Sequence, residues 1–406
     1  MKKALLFLCT AAFAFACTKD LEPSRDILLD GDKVEVEAYS DCGSKLFVLN
    51  EGGYGSNNSS LDFLRFSDGC YVRGAFRKMN PDVAGGLGDV GNDIAVIGNE
   101  LWIAVNNSGI VQVVSAEDEK ELAAIEVPMP RNIAFDDKYA YVTSWAGAYA
   151  NGTYDKDGNY SITDSNNPKG RVYRIDLATK ALAGSVEVGY QPEGIAFYDG
   201  KLYVANSGGI SSQLPPLYSY DNTVSIIDAS SFKLDGTVEV QVNLKNVYSD
   251  GKGMIYVSSF GNYWDVHSGM YAFRASDPSR SWRIGADSAV KPEALNVSCS
   301  CICGDTVFCI GTPDEFSWGS AHSYSLWSYS TSDAASGKGE VKLWPLSLSG
   351  VPYGLTVLAG KNGDYMFVGD AGDYFNPGTV SAYDLSDGTK LWNVTAGVCP
   401  GHFAIW

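Results

Sequence analysis

The sequence predicts an all-β chain folded as one seven-bladed β-propeller, with the last strand, 401–406, closing the blade that the N-terminal strands begin. Three observations predict this. A block of short apolar strands recurs along the chain; each end of the chain supplies only part of a block; and the spacing between blocks varies because the loops inside them do. Self-similarity at this period marks a repeat architecture. Pairing the two chain ends hides the edges that an open sheet would leave exposed.

The first strand of the block is read at 92–96, 131–135 and 193–197, with weaker copies at 245–248, 293–297 and 353–357. The second strand follows at 101–105, 139–142, 202–205, 255–257, 307–310 and 365–368. The third runs into an Asp, at 172–176, 224–228 and 380–384, and a turn then leads to the fourth. The run 401–406 is a first strand with nothing after it, and 45–50 is a second strand with nothing before it. Together they make the seventh blade.

Composition narrows the function. Lys and Arg number 30 against 48 Asp and Glu, a net charge of −18, which argues against a nucleic-acid groove and leaves no nucleic-acid partner in the reading. The 45% hydrophobic content is ample for a core. Three histidines, His267, His322 and His402, fall in separate blades with no nucleophile motif beside them, so no catalytic triad is read.

The N-terminus reads as an address. Lys2 and Lys3 precede a short apolar run to Phe15, too short to span a bilayer, and small residues lead to Cys17. Residues 1–16 are therefore read as a signal peptide and Cys17 as the lipidated first residue of a bacterial lipoprotein. Residues 17–34 are read as a flexible tether and 35–406 as the propeller. Acidic residues after the cysteine resemble a surface-export signal, which puts the domain on the outer membrane, facing outward. The mature chain keeps an odd number of further cysteines, which does not suggest a disulfide framework. Cys299, Cys301 and Cys303 alternate along one strand, so their thiols would lie about 6.5–7 Å apart. That is too far for one zinc, and the three are read as packing residues; no metal site is assigned.

The excess length falls mainly between second and third strands, at 50–59, 144–170, 206–222, 258–269, 311–324 and 369–378. In a propeller these loops share a face with the links between blades. They carry aromatic rings on Gly- and Asn-containing segments, the composition of a binding surface. The expected ligand-binding residues are Tyr54, Arg131, Trp145, Tyr149, Asn206, Tyr218, Tyr220, Phe260, Tyr263, Trp264, Phe316, Trp318, Tyr374, Phe375 and His402. The links add Gln191, Glu193, Lys245, Asn246 and Lys291 to the same face. Asn50, Asn106 and Asn206 share one register at a strand end. Each either points its amide at the mouth or starts a loop by bonding its own backbone. Residues 155–159 read as an Asp-Gly hairpin rather than a calcium loop, because the distal acidic ligand is missing.

The segments GIAFYDGKLYVAN at 194–206 and VSIID at 224–228 are similar to YncE-type seven-bladed propellers. The opening FVLNEGGYGSNNSSLD at 47–62, with the lipid anchor, resembles the BtuG-like vitamin B12-capturing surface lipoproteins of Bacteroidota. The resemblance covers nearly all of the chain after the tether. It implies a non-enzymatic protein without a cofactor of its own. Its ligand would be cobalamin or another corrinoid, passed to a BtuB-type TonB-dependent transporter. Two rivals remain open: a lactonase- or lyase-like propeller with a channel metal on Asn50, Glu51, Asp314, Glu315, Asp370 and Asp373, and a glycan- or protein-binding surface protein.

Overall fold

The computed structural model describes residues 29–146, 153–154, 156–157, 160–161, 168–208, 220–263, 265–311, 323–331 and 340–406. Cys17, the signal segment and the tether up to residue 28 lie outside the described residues, as do Tyr149, Tyr218, Trp264, Phe316 and Trp318. Among the described residues, seven antiparallel sheets stand in a ring, the seven-bladed β-propeller that the repeats predict. No described helix is long and apolar enough to cross a membrane.

Blade 1 joins the chain ends. Pro400–Ile405 is its innermost strand, followed outward by Lys45–Asn50, Ser60–Arg65 and Cys70–Val72. Phe403 lies opposite Val48 and Ile405 opposite Leu46. Blades 2 to 7 begin at the channel with Gly91–Ile97, Pro130–Phe135, Pro192–Tyr198, Leu244–Ser249, Cys299–Cys303 and Pro352–Gly360. These inner strands contact one another in order around the ring.

The second strands read as continuous apolar runs because neighbouring blades cover both of their faces. Leu101, Trp102 and Ile103 are buried in blade 2, and Ile255, Tyr256 and Val257 in blade 5. The core is thus a ring of seams. Phe47 and Phe63 of blade 1 pack with Leu101 and Ile103 of blade 2, and Trp102 packs with Val142 of blade 3. Each such side chain contributes about 1.5–3 kcal/mol by leaving water. The third strands end on Asp because that carboxylate ties the next turn. Asp176 accepts the N–H groups of Ala178 and Thr179, and Asp228 that of Ser231. The outermost strands of blades 2 to 7 each break register with a bulge, a recurrent protection of an unpaired edge.

Two expectations need correction. The run 293–297 is not a strand: Pro292–Leu295 is a 3₁₀ turn, and the inner strand of blade 6 is Cys299–Cys303. Pro292 has no N–H for a ladder and suits the start of a helical turn. The tether does not extend to residue 34. Asp32–Lys33 pairs with Cys70 and Tyr71 as a fifth strand of blade 1, and Leu29 is buried. Beyond its outer strand, blade 1 also continues into a short helix, Ala75–Met79, whose Phe76 fills the core between blades 1 and 2.

Candidate functional site

One backbone bond recurs on the loop face. The residue just after the second strand donates its N–H to the carbonyl of the residue just before an inner strand. Glu51 bonds Cys399, Asn106 bonds Val90, Trp145 bonds Met129, Ser207 bonds Gln191, Phe260 bonds Asn243 and Ala371 bonds Val351, at 2.7–3.2 Å. Five of the acceptors, Val90, Met129, Gln191, Asn243 and Cys399, have left-handed backbone with φ between 43° and 64°. Such geometry costs a non-glycine residue about 1–2 kcal/mol, and the latch helps hold it. The latch also fixes where Glu51, Trp145 and Phe260 leave the sheet.

Inside the latches lies a polar collar. It is built by the second residue of the inner strands: Asn92, Arg131, Glu193, Lys245 and Tyr353. Arg131 donates to Glu193 Oε2 from Nε at 3.0 Å and from Nη2 at 2.9 Å, and to Asn92 Oδ1 from Nη1 at 2.5 Å. Lys245 Nζ donates to the same Glu193 oxygen at 2.8 Å. Burial alone would raise the Glu193 carboxyl, but Arg131 and Lys245 together hold it below its usual range. The Arg131 guanidinium stacks on the Trp145 ring at 4.4 Å. Tyr353 donates its hydroxyl to the Glu51 carboxylate and meets the Tyr374 ring edge-on at 5.9 Å. Asp93 accepts N–H bonds from Ile94 and Ile133, yet burial pushes it up to about 6. Burial pushes His402 down to about 3, helped by Lys245 and Arg131, so its ring is neutral near pH 7.

Asn92, Arg131, Lys245 and Tyr353 of the collar line a central cavity of about 1300 Å³. Of the expected residues, Arg131, Tyr220, Phe260, Tyr263, Tyr374 and His402 line it. Tyr263 and Tyr374 are carried on tight turns. Asn262 Oδ1 accepts the N–H groups of Asp265 and Val266, and Asp373 Oδ1 accepts those of Phe375 and Asn376. Gly261, at φ 65°, must be glycine, because a Cβ there would sit 1.9 Å from the Val266 carbonyl. Tyr54 and Phe375, 63% and 83% exposed, belong to these loops but not to the cavity lining. The hairpin expected around 155–159 is present as Thr153–Tyr154 paired with Tyr160–Ser161.

Asn206 is a correction. It is 0% exposed, accepts the Gly189 N–H, and donates to Thr223 and Ser225, so it clips blade 3 to blade 4 and cannot reach a ligand. Asn50 does the same between blades 7 and 1, accepting the Gly397 N–H and donating to Ser60. Asn106 is equally buried and donates to the Pro130 carbonyl. Asn92, Asp93 and Tyr353 escaped the sequence reading. The signal for Asn92 and Tyr353 was positional: both share a strand register with Arg131 and Glu193.

The carboxylates that a channel metal would draw on are already engaged. Asp370 Oδ1 accepts from Val351 and Gly372, Asp373 accepts from its own turn, and Glu51 takes the Tyr353 hydroxyl. Asp314 and Glu315 lie outside the described residues. Among the described residues, no three His, Cys, Asp or Glu side chains gather as a metal-binding group. Cys299 and Cys309 are buried free thiols, and Cys301 and Cys303 are half-buried. The arrangement offers flat rings at the mouth, fixed donors and acceptors on the wall, and no activated nucleophile among the described groups.

No protein-family model matches the chain, and no curated protein matches it. Among solved structures, the chain is similar to one from Kuenenia stuttgartiensis hydrazine synthase. The two share 16% identity over 77% of this chain and 89% of that one, with a TM-score of 0.57. At that identity the likeness shows the fold alone.

Proposed function

We propose that this chain is a non-enzymatic capture protein. It binds cobalamin or another corrinoid on the loop face and passes it to a TonB-dependent outer-membrane transporter. In this reading Cys17 carries the lipid, the propeller faces outward from the outer membrane, and the family is the BtuG-like, YncE-type group suggested by 47–62 and the repeats. The observation that carries the proposal is the cavity of about 1300 Å³ with Tyr220, Phe260, Tyr263 and Tyr374 in its wall and the Arg131–Glu193–Lys245 collar beside them. A corrin ring is broad and flat, with an amide fringe. It calls for aromatic walls and for a few fixed polar partners. Well-packed aromatic anchors contribute about 2 kcal/mol or more each on truncation, so a few reach the roughly 12 kcal/mol of nanomolar binding.

The test is a calorimetric titration of the purified protein with cyanocobalamin, with corrin absorption followed in parallel. One-to-one saturation at a sub-micromolar dissociation constant supports the proposal. No heat and no spectral change removes cobalamin as the ligand.

A further inference from the structure

Cys42 lies just ahead of Lys45–Asn50, in the segment that enters blade 1, and Cys303 ends the inner strand of blade 6. Between them runs the inner strand of blade 7, Pro352–Gly360. Both thiols lie against one residue of that strand. Cys42 Sγ donates to the Ala359 carbonyl at 3.7 Å, and the Ala359 N–H is directed at Cys303 Sγ. Both side chains are half-buried, whereas Cys70, Cys299, Cys309 and Cys399 are buried. A small oxidant can therefore reach this pair while the other four are shielded by packing. Burial raises the Cys42 thiol, Asp41 raises it further, and so does the neighbouring Cys303, consistent with two sulfurs that sense each other. Cys301, two residues up the strand, is half-buried as well, but it meets the Val357 N–H of the same inner strand rather than Ala359.

We propose that Cys42 and Cys303 are a modification site, a reversible disulfide that straps the entry to blade 1 onto blade 6 beneath the inner strand of blade 7. The oxidant is a small-molecule disulfide such as oxidised glutathione. One protein thiolate attacks it, forming a mixed disulfide and releasing one glutathione thiolate. The second protein thiolate then attacks the protein-bound sulfur and releases the other glutathione. Two protein thiols lose two electrons and two protons, and one glutathione disulfide becomes two thiols. Because burial keeps both thiols protonated, the reaction quickens as pH rises. The strap closes a very long loop and spans the region where pairing of the two chain ends shuts the ring.

The full-length protein, purified in reductant, is incubated with oxidised glutathione at about pH 8.5, where an ordinary thiol is half ionised. It is then digested without reduction and mapped by mass spectrometry. The expected product is a Cys42 peptide joined to a Cys303 peptide, lighter than their sum by two hydrogens. The urea midpoint should rise and return on adding dithiothreitol, and neither change should occur in Cys42→Ser or Cys303→Ser. Separate glutathione adducts on the two cysteines, a Cys301–Cys303 link, or two unmodified thiols would each overturn the proposal, and the peptide map reads all three on the unsubstituted chain.

Discussion

The Lys45 ammonium of blade 1 is buried against the Glu119 carboxylate of blade 2. Lys45 also donates to the carbonyls of Ala116 and Glu117, at 2.9 and 2.8 Å, and sits 4.9 Å above the Phe63 ring. The pair rivets the closing blade to its neighbour. Removing one partner leaves the other charge buried and uncompensated, so Lys45→Met should cost about 3–5 kcal/mol in urea unfolding. Adding Glu119→Leu should recover much of that loss. A Lys45→Met cost below about 1 kcal/mol would show that the pair holds nothing.

Ring closure rests on the last residues. Trp406 exchanges backbone bonds with Lys45, at 2.9 and 3.0 Å, and Pro400–Ile405 is the only strand that covers the inner edge of Lys45–Asn50 among the described residues. Deleting 400–406 should abolish a single cooperative unfolding transition and promote association through the bared edge. Calorimetry with light scattering tests this; a sharp, monomeric transition would contradict it.

At the mouth, affinity and stability should separate. Tyr263 is 70% exposed and lines the cavity, so Tyr263→Ala should leave the urea midpoint within about 0.5 kcal/mol of the parent. It should nonetheless weaken corrinoid binding by about 2 kcal/mol or more. Phe375→Ala, on a side chain off the cavity lining, should weaken it much less. Equal losses in the two titrations would move the ligand outward, onto the loop tips.

Two groups beside the collar, Asp93 and His402, should pull stability in opposite directions with pH. Asp93, pushed up to about 6 by burial, keeps its proton in the folded chain after the unfolded chain has released it near 4. Its contribution is therefore present below that window and lost as pH rises through it. His402, pushed down to about 3, refuses a proton that the unfolded ring accepts near 6.5. Its contribution is present above that value and lost as pH falls. Urea midpoints of Asp93→Asn and His402→Asn, each subtracted from the parent between pH 4 and 7, should slope in opposite senses. Slopes of one sign would contradict the assignment.

The fold was legible because buried second strands, such as Leu101–Ile103 and Ile255–Val257, leave an apolar signature that a blade needs regardless of its neighbours. Blade 6 was misplaced because Leu295 and Val297 imitate an inner strand, while the real one alternates Cys with Ser and Ile. At the site, Arg131, Glu193, Lys245 and His402 were visible as polar residues in the links, but their pairing was not. Arg131 meets Glu193 across 62 residues of sequence, a contact that depends on the curvature of the ring. Asn206 shows the converse. An amide at a strand end suits a ligand or a clip equally, and only the Gly189 N–H arriving from another blade decides which.

The latch bonds have a consequence for how such a surface changes. Each joins one main-chain N–H to one main-chain carbonyl, so these bonds hold the positions of Glu51, Trp145 and Phe260 without using their side chains. A side chain there can change without breaking the main-chain bond that sets its position. The face works as a panel of interchangeable fittings, where new specificity can be acquired blade by blade while the frame that carries it stays intact.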